Sequence, residues 1–463
     1  MRGALALWAV LALGCGTANF SPYPPPRRGA PKLWVPAFTT TKLPNGLQVS
    51  VNPDNYLPLT AIAVGIRGGA LLDPPSKAGL TRLLAEMLTT RADQLPRLKL
   101  MTVYDSVGDG VRAEVTPDGI ILSLEVLEDR AGAALAMLAH LLQHPDFDPD
   151  ELERLKAIGK TVVTHDLADP DTAAMRAIRQ VVFGGQHPAG AAPSGTHRSL
   201  DAITIGDLRA RYEQIVRPDN IVIGVAGRVE PEMVNKAVAA RFASWKAPAT
   251  PLPAARTGAG PEPARRQKIY FLPRPALSQT VICVGSRGLP ESDQRYQLLR
   301  MITGRAPASA SSWLRGVEQV TYGVRTIDEA STQTGLYGAY LSVEANATGS
   351  ALKSMLDRYD AQPEGSFDIE KVVVLTIEGR PFFTLGGRAR HVASLFVRGL
   401  PVDHFTRLRE RLDEDRGLEL PNLVFDYMKS DRMQVVLVGD PAVIKAQVPP
   451  LGEGDLEELR LAE

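Results

Sequence analysis

Cysteine is almost missing from this chain. Its 463 residues hold two, Cys15 and Cys283. Cys15 falls in an N-terminal leader, so no internal disulfide is available. Cys283 lies in the apolar run TVICVG and reads as a small core residue. Aromatic residues are scarce, at 6%, which disfavours a base-stacking surface for nucleic acid. No charge of one sign dominates: Lys+Arg and Asp+Glu are both 52. The absent basic field argues against nucleic acid, and the absent acidic one against cationic partners. No hydrophobic run is long enough to be a good membrane span. What is there is ordinary globular composition, 44% apolar and 22% charged, on a length that suggests two to four domains.

The leader MRGALALWAVLALGCG carries one basic residue, Arg2, then an apolar run from Ala4 to Leu13, then Gly14-Cys15. This reads as a secretory signal. The small residue before Cys15 fits a bacterial lipoprotein signal, in which the cysteine is lipidated and becomes the new N-terminus. The leucine usual three residues before that cysteine is Ala12 here, so an ordinary signal cleaved nearby is the alternative. The next stretch, SPYPPPRRGAPKLWVP, has six prolines in 16 residues and reads as an extended tether. The expected order is a signal at 1–15, a tether at 16–36 and a soluble body. The body would be held to the membrane through a lipid anchor, facing the periplasm. Gly16, where inner-membrane retention often has Asp, favours the outer membrane.

A second Pro/Ala/Gly-rich stretch, 247–265, divides the body into 37–246 and 266–463. The two parts share a rhythm. TAIAVGIRGGALLDPPSKAGLTRLLAEML in the first answers to QTVICVGSRGLPESDQRYQLLRMITG in the second. Each is an apolar strand, then Val-Gly-x-Arg-Gly, then a polar break and an amphipathic helix. NIVIGVAGRVEPEMVNKAVAARF and MQVVLVGDPAVIKAQV close the two parts with a strand, a Gly turn and a helix. This predicts an α+β fold of two tandem homologous domains. Each domain is expected to have an antiparallel-rich sheet with helices packed on one face.

AGLTRLLAEML, residues 78–88, reads as an amphipathic helix, with Leu80, Leu83, Leu84, Met87 and Leu88 at helical spacing. Its setting resembles the insulinase/pitrilysin metallopeptidases, the group that includes the mitochondrial processing peptidase. The resemblance is carried by Asn45-Gly46-Leu47, Gly68-Gly69, Asp73-Pro74 and Gly79-Leu80. It continues through HPDFDPDELERLK, FGGQHPAG, GTHRSLDAIT and RPDNIVIGVAGRVEP, and in the second half through LSQTVICVG and LRGVEQVTYGVRT. In that family the helix carries H-x-x-E-H: two histidines bind zinc and the Glu is general base, with a downstream Glu completing the ligands. Aligned on Gly79-Leu80, those positions here are Arg82, Ala85 and Glu86, and the downstream Glu falls near Val162. A guanidinium has no lone pair to give. No metal and no cofactor are therefore expected in this chain. His140 and His144, also four apart, have no Glu between them and are not read as a site. His165, His187 and His197 are placed in turn-rich stretches without ligand spacing.

The resemblance also implies a pair that this chain keeps. Active relatives carry an Arg and, seven residues on, a Tyr that hold the substrate backbone over the zinc. Here these are Arg315 and Tyr322 in LRGVEQVTYG. Seven residues is about two helical turns, so both side chains are expected to point one way, or Tyr322 to open the next strand. The leading expectation is a non-catalytic, substrate-binding subunit of a heterodimeric zinc peptidase acting on peptides or unfolded protein. Its partner would be a zinc-bearing homologous subunit. The alternative is a catalytically dead scaffold of the same fold. No nucleophile elbow, P-loop or Cys-His arrangement supports a stand-alone enzyme.

Overall fold

The structure is a computed structural model that describes residues 34–92, 95–108, 110–253, 267–361, 367–414, 420–452 and 455–461. The signal with Cys15, most of the tether, and the linker from residue 254 lie outside the described residues. Among the described residues six strands precede the linker: β1 (Thr39–Lys42), β2 (Gln48–Pro53), β3 (Leu59–Arg67), β4 (Arg112–Val115), β5 (Gly119–Leu127) and β6 (Ile221–Gly227). They form one sheet in the order β1-β2-β6-β3-β5-β4. Six follow it: β7 (Ile269–Pro273), β8 (Gln279–Gly288), β9 (Arg325–Ala330), β10 (Gly335–Glu344), β11 (Gln434–Gly439) and β12 (Leu456–Glu458). Their order is β12-β7-β11-β8-β10-β9. The shared rhythm of the sequence thus becomes a shared topology. β3 lies antiparallel between β5 and β6, as β8 does between β10 and β11. Both sheets are mixed, because β2–β6 and β7–β11 are parallel pairs.

The helices that matter below are α1 (Leu80–Thr90), α2 (Pro149–Ala168), α3 (Pro170–Phe183), α4 (Ile205–Ile215), α5 (Arg305–Gly316), α6 (Leu385–Val397) and α7 (His404–Glu414). Helices were expected on one face of each sheet. The structure corrects this, because the two halves exchange a helix. α6, from the second half, packs on β3, β5 and β6 of the first sheet, and α3, from the first half, packs on β8 and β11 of the second. The strand sequences carry the reason. In β3, Ile62, Val64 and Ile66 join the large core that holds α1. Ala61 and Ala63 on the other face meet Leu385, Ala389 and Ala393 of α6. A strand buried on both faces reads as an unbroken apolar run.

The glycine of the repeated Val-Gly-x-Arg-Gly has a specific role. A Cβ on Gly65 would lie 2.8 Å from the Ala393 carbonyl oxygen of α6. A Cβ on Gly285, the matching position, would lie 2.7 Å from Ile178 of α3. In each half, a side chain at this point would push the incoming helix off the sheet. Polar bonds tie the halves further. Arg388 pairs with Asp54 at 2.6 Å, and the Thr332 hydroxyl donates to Asp118 at 2.6 Å. From Val35 onward the chain forms one compact unit. Cys283 is fully buried in the second core. Among the described residues no helix is long and apolar enough to cross a membrane.

Candidate functional site

α1 is entered through Gly79, whose φ of 94° is left-handed and suits glycine. Asp73 then holds the first turn. It accepts from the Thr81 N–H at 3.1 Å and from the Thr81 hydroxyl at 2.6 Å. Arg211 of α4 donates to the same carboxylate at 2.8 Å and to the Leu72 carbonyl at 2.9 Å. All of these side chains are buried, so the charges compensate each other where water cannot. The Asp73-Pro74 and Gly79-Leu80 signatures therefore fix how the helix enters the core. Leu80, Leu83, Leu84, Met87 and Leu88 are buried, as their spacing predicts.

The three motif positions follow from that seating. Ala85 is buried, and its methyl group fills part of the core. Arg82 and Glu86 sit half-buried at the core edge, and the Arg82 Nε donates to Glu86 Oε1 at 2.8 Å. The other Glu86 oxygen is buried and has no hydrogen-bond partner. On α2, which packs against α1, Arg154 pairs with Glu151 at 2.6 Å. That bond, and in smaller part Glu86, hold the Arg154 guanidinium above its usual pKa. Val162 is an exposed apolar residue on the same helix. The acid nearby, Asp166, accepts from the Ser194 hydroxyl at 2.9 Å and from Arg176 at 3.2 Å.

The residues present do not fit zinc. One ligand position is a guanidinium, the base position is a methyl-bearing core residue, and the carboxylate at the other ligand position is engaged by Arg82. Among the described residues no group of three His, Cys, Asp or Glu side chains is placed to hold a metal. The His140 and His144 rings lie 5.3 Å apart with no third ligand. His165 corrects an expectation, since it lies in the last turn of α2 and not in a turn-rich stretch. His197 opens a short helix, and His187 accepts from the Ala189 N–H.

Arg315 is in the last turn of α5, which ends at Gly316. Tyr322 lies beyond it, in the connection to β9, and is 95% exposed. The chain between them turns at Gln319, whose φ is 58°. Two helical turns therefore do not relate this pair, and Tyr322 does not open the strand; both expectations are corrected. Arg315 and Tyr322 are exposed, and neither makes a hydrogen bond or ion pair among the described residues. Among the described residues nothing consumes their side-chain donors.

Two six-stranded mixed sheets, a reciprocal helix exchange and a metal-type helix without ligands define a metallopeptidase-like fold stripped of its own metal chemistry. Residues 49–184 match the family described as insulinase (peptidase family M16), and residues 202–361 match its companion, the peptidase M16 inactive domain. The chain belongs to this M16 family. It is 23% identical over 306 residues to an uncharacterized zinc protease of Bacillus subtilis, covering 65% of this chain and 73% of that one. It is 23% identical over 183 residues to a non-peptidase homolog of Helicobacter pylori, covering 40% and 42% of the two chains. Mitochondrial-processing peptidase subunit beta of Saccharomyces cerevisiae is 20% identical over 332 residues, 69% of this chain and 68% of that one. Among solved structures, a peptidase M16 inactive domain from Pseudomonas fluorescens superposes with a TM-score of 0.76 at 19% identity, covering 87% of this chain and 98% of its own. The Escherichia coli periplasmic protease PqqL superposes with a TM-score of 0.68 at 15% identity, covering 94% of this chain and 52% of its own. At these identities the superpositions establish the fold.

Proposed function

We propose that this chain is the non-catalytic, substrate-holding subunit of a heterodimeric zinc peptidase that acts on peptides or unfolded protein segments. One contrast carries the reading. The positions that would bind zinc and activate water are an ion pair and a methyl group, while Arg315 and Tyr322 stand exposed with their side-chain donors unused among the described residues. In this role Arg315 holds substrate backbone carbonyls, and Tyr322 donates its hydroxyl to the oxyanion that develops at the scissile carbonyl. Zinc and general base belong to a homologous partner. Two relatives fit this division: one is named a non-peptidase homolog, another a subunit of a processing peptidase. We also propose that Cys15 is lipidated and that the Pro-rich tether sets the body facing the periplasm, on the outer membrane.

The test is affinity purification of the full-length protein from its native membranes, with identification of the bound chain by mass spectrometry. The expected result is a stoichiometric M16 chain with an intact H-x-x-E-H. Recovery in complex only with proteins outside the peptidase family contradicts the reading and favours a scaffold.

A further inference from the structure

A cleft of about 240 Å³ opens where the two halves meet, and it has no part in the subunit role proposed above. Its charged lining comes from Arg67 at the end of β3, Asp118 before β5 and Arg398 after α6; Leu71, Pro117 and Val397 supply apolar wall. Of the two guanidiniums, Arg398 is paired with Glu291. Asp118 is also engaged, accepting from the Thr332 N–H at 3.1 Å and from its hydroxyl at 2.6 Å. Arg67 is different. Its Nε donates to the Phe396 carbonyl at 2.9 Å and its Cζ lies over the Phe396 ring, 4.0 Å from the centroid. It forms no ion pair among the described residues. Burial alone pulls its pKa below the ordinary arginine value, and no carboxylate offsets the shift. A half-buried cation without a counter-ion is costly, and a bound anion would remove that cost.

We propose that this cleft binds a carboxylate carried on a short apolar group, with the two Nη groups of Arg67 as its fork. The Nε and the guanidinium face are already used, so the Nη edge remains for the two parallel N–H···O bonds a carboxylate makes. Arg67 is the lining cation without an ion-pair partner among the described residues, and the Asp118 carboxylate in the same wall would repel a second negative charge, so a singly charged ligand fits better than a phosphate dianion. The space is many times the roughly 10–15 Å³ that one water needs and suits a group the size of one amino-acid residue. Two sources share this chemistry: a free short-chain carboxylic acid and the C-terminal residue of a peptide. Because the cleft is lined from both halves, its occupant would also clamp the helix exchange.

The experiment uses the purified chain without any partner. Sodium butyrate is titrated by calorimetry and thermal melting against butyramide, its uncharged counterpart, at constant ionic strength. The tripeptide Ala-Ala-Leu is compared with its C-terminal amide. Butyrate should bind and raise the melting temperature, and butyramide should not. Binding of the free tripeptide but not its amide assigns the peptide end; butyrate binding alone assigns a free acid. Arg67→Gln should weaken butyrate at least tenfold. A measurement that needs no variant accompanies it: phenylglyoxal labelling of the unchanged protein, mapped by mass spectrometry, should show Arg67 protected by butyrate and not by butyramide. Equal effects of butyrate and butyramide, or full labelling of Arg67 in saturating butyrate, would overturn the proposal.

Discussion

Arg82 and Glu86 offer each other what zinc would require them to give up. A half-exposed pair one helical turn apart is worth about 0.3–0.5 kcal/mol, so it adds little stability, but it holds the one carboxylate of the motif positions against a guanidinium, which has no lone pair to give a metal. The first expected outcome is that the purified protein contains no stoichiometric zinc and cleaves no peptide alone. Elemental analysis that finds one tightly held zinc per chain contradicts this. The second concerns Asp73. Asp73→Ala strands Arg211 among buried groups, and such losses cost roughly 3–5 kcal/mol. Denaturant melts should show a fall of that order, while Glu86→Ala at the core edge should cost far less. Of this residue-level picture, the sequence exposes the degenerate motif, because H-x-x-E-H has fixed local spacing. It does not expose the Asp73–Arg211 bond, since the partners are 138 residues apart and nothing local marks Arg211 as buried.

The elements show why two homologous halves were legible and their exchange was not. Strand β3 reads TAIAVGI, and its unbroken apolar character signals two covered faces. Which helix covers the second face depends on contacts between Gly65 and Ala393, far apart in sequence. Ala389 and Ala393 on α6, and Ala173, Ala174 and Ala177 on α3, are the stripes that allow close approach, a signal present in the sequence but visible only once the sheets are known. The exchange predicts a matched pair of effects. Gly65→Val and Gly285→Val should each destabilise by about 1–3 kcal/mol, as overpacking does. Gly132→Ala, in an open helical position with no atom within 4 Å of the new Cβ, should stabilise by roughly 0.5–1 kcal/mol. Midpoints of chemical unfolding check all three. If Gly65→Val and Gly132→Ala behave alike, the close approach is not a packing constraint.

At the scale of the whole molecule, pH, attachment and assembly become the observables. His391 on α6 and His404 at the start of α7 both have buried Nε2 atoms without a partner. Burial lowers the His391 pKa. Burial first, and then nearby Arg398, take His404 down to about 4, with the Glu378 carboxylate opposing and His391 and Arg411 adding to the fall. Both rings stay neutral in the folded chain and regain an ordinary value near 6.5 when it unfolds. The unfolded state therefore binds more protons between pH 6.5 and about 4. Stability should be complete above that window and fall as pH drops through it. In His404→Leu the fall should shrink, as followed by urea midpoints from pH 7.5 to 4.5, and parallel curves for both proteins would contradict this. The proposed lipidation predicts that Cys15→Ser moves the protein from the membrane fraction to the soluble one, since acyl chains anchor at about 0.8 kcal/mol per buried methylene. The most direct measurement is steady-state peptide cleavage by the proposed two-subunit complex, rebuilt with Arg315→Ala, Tyr322→Phe or both, with assembly checked by size-exclusion chromatography. Substrate holding predicts an assembled complex in which Arg315→Ala raises KM and Tyr322→Phe lowers turnover on the order of 10²-fold. An assembled double variant with full activity would contradict it.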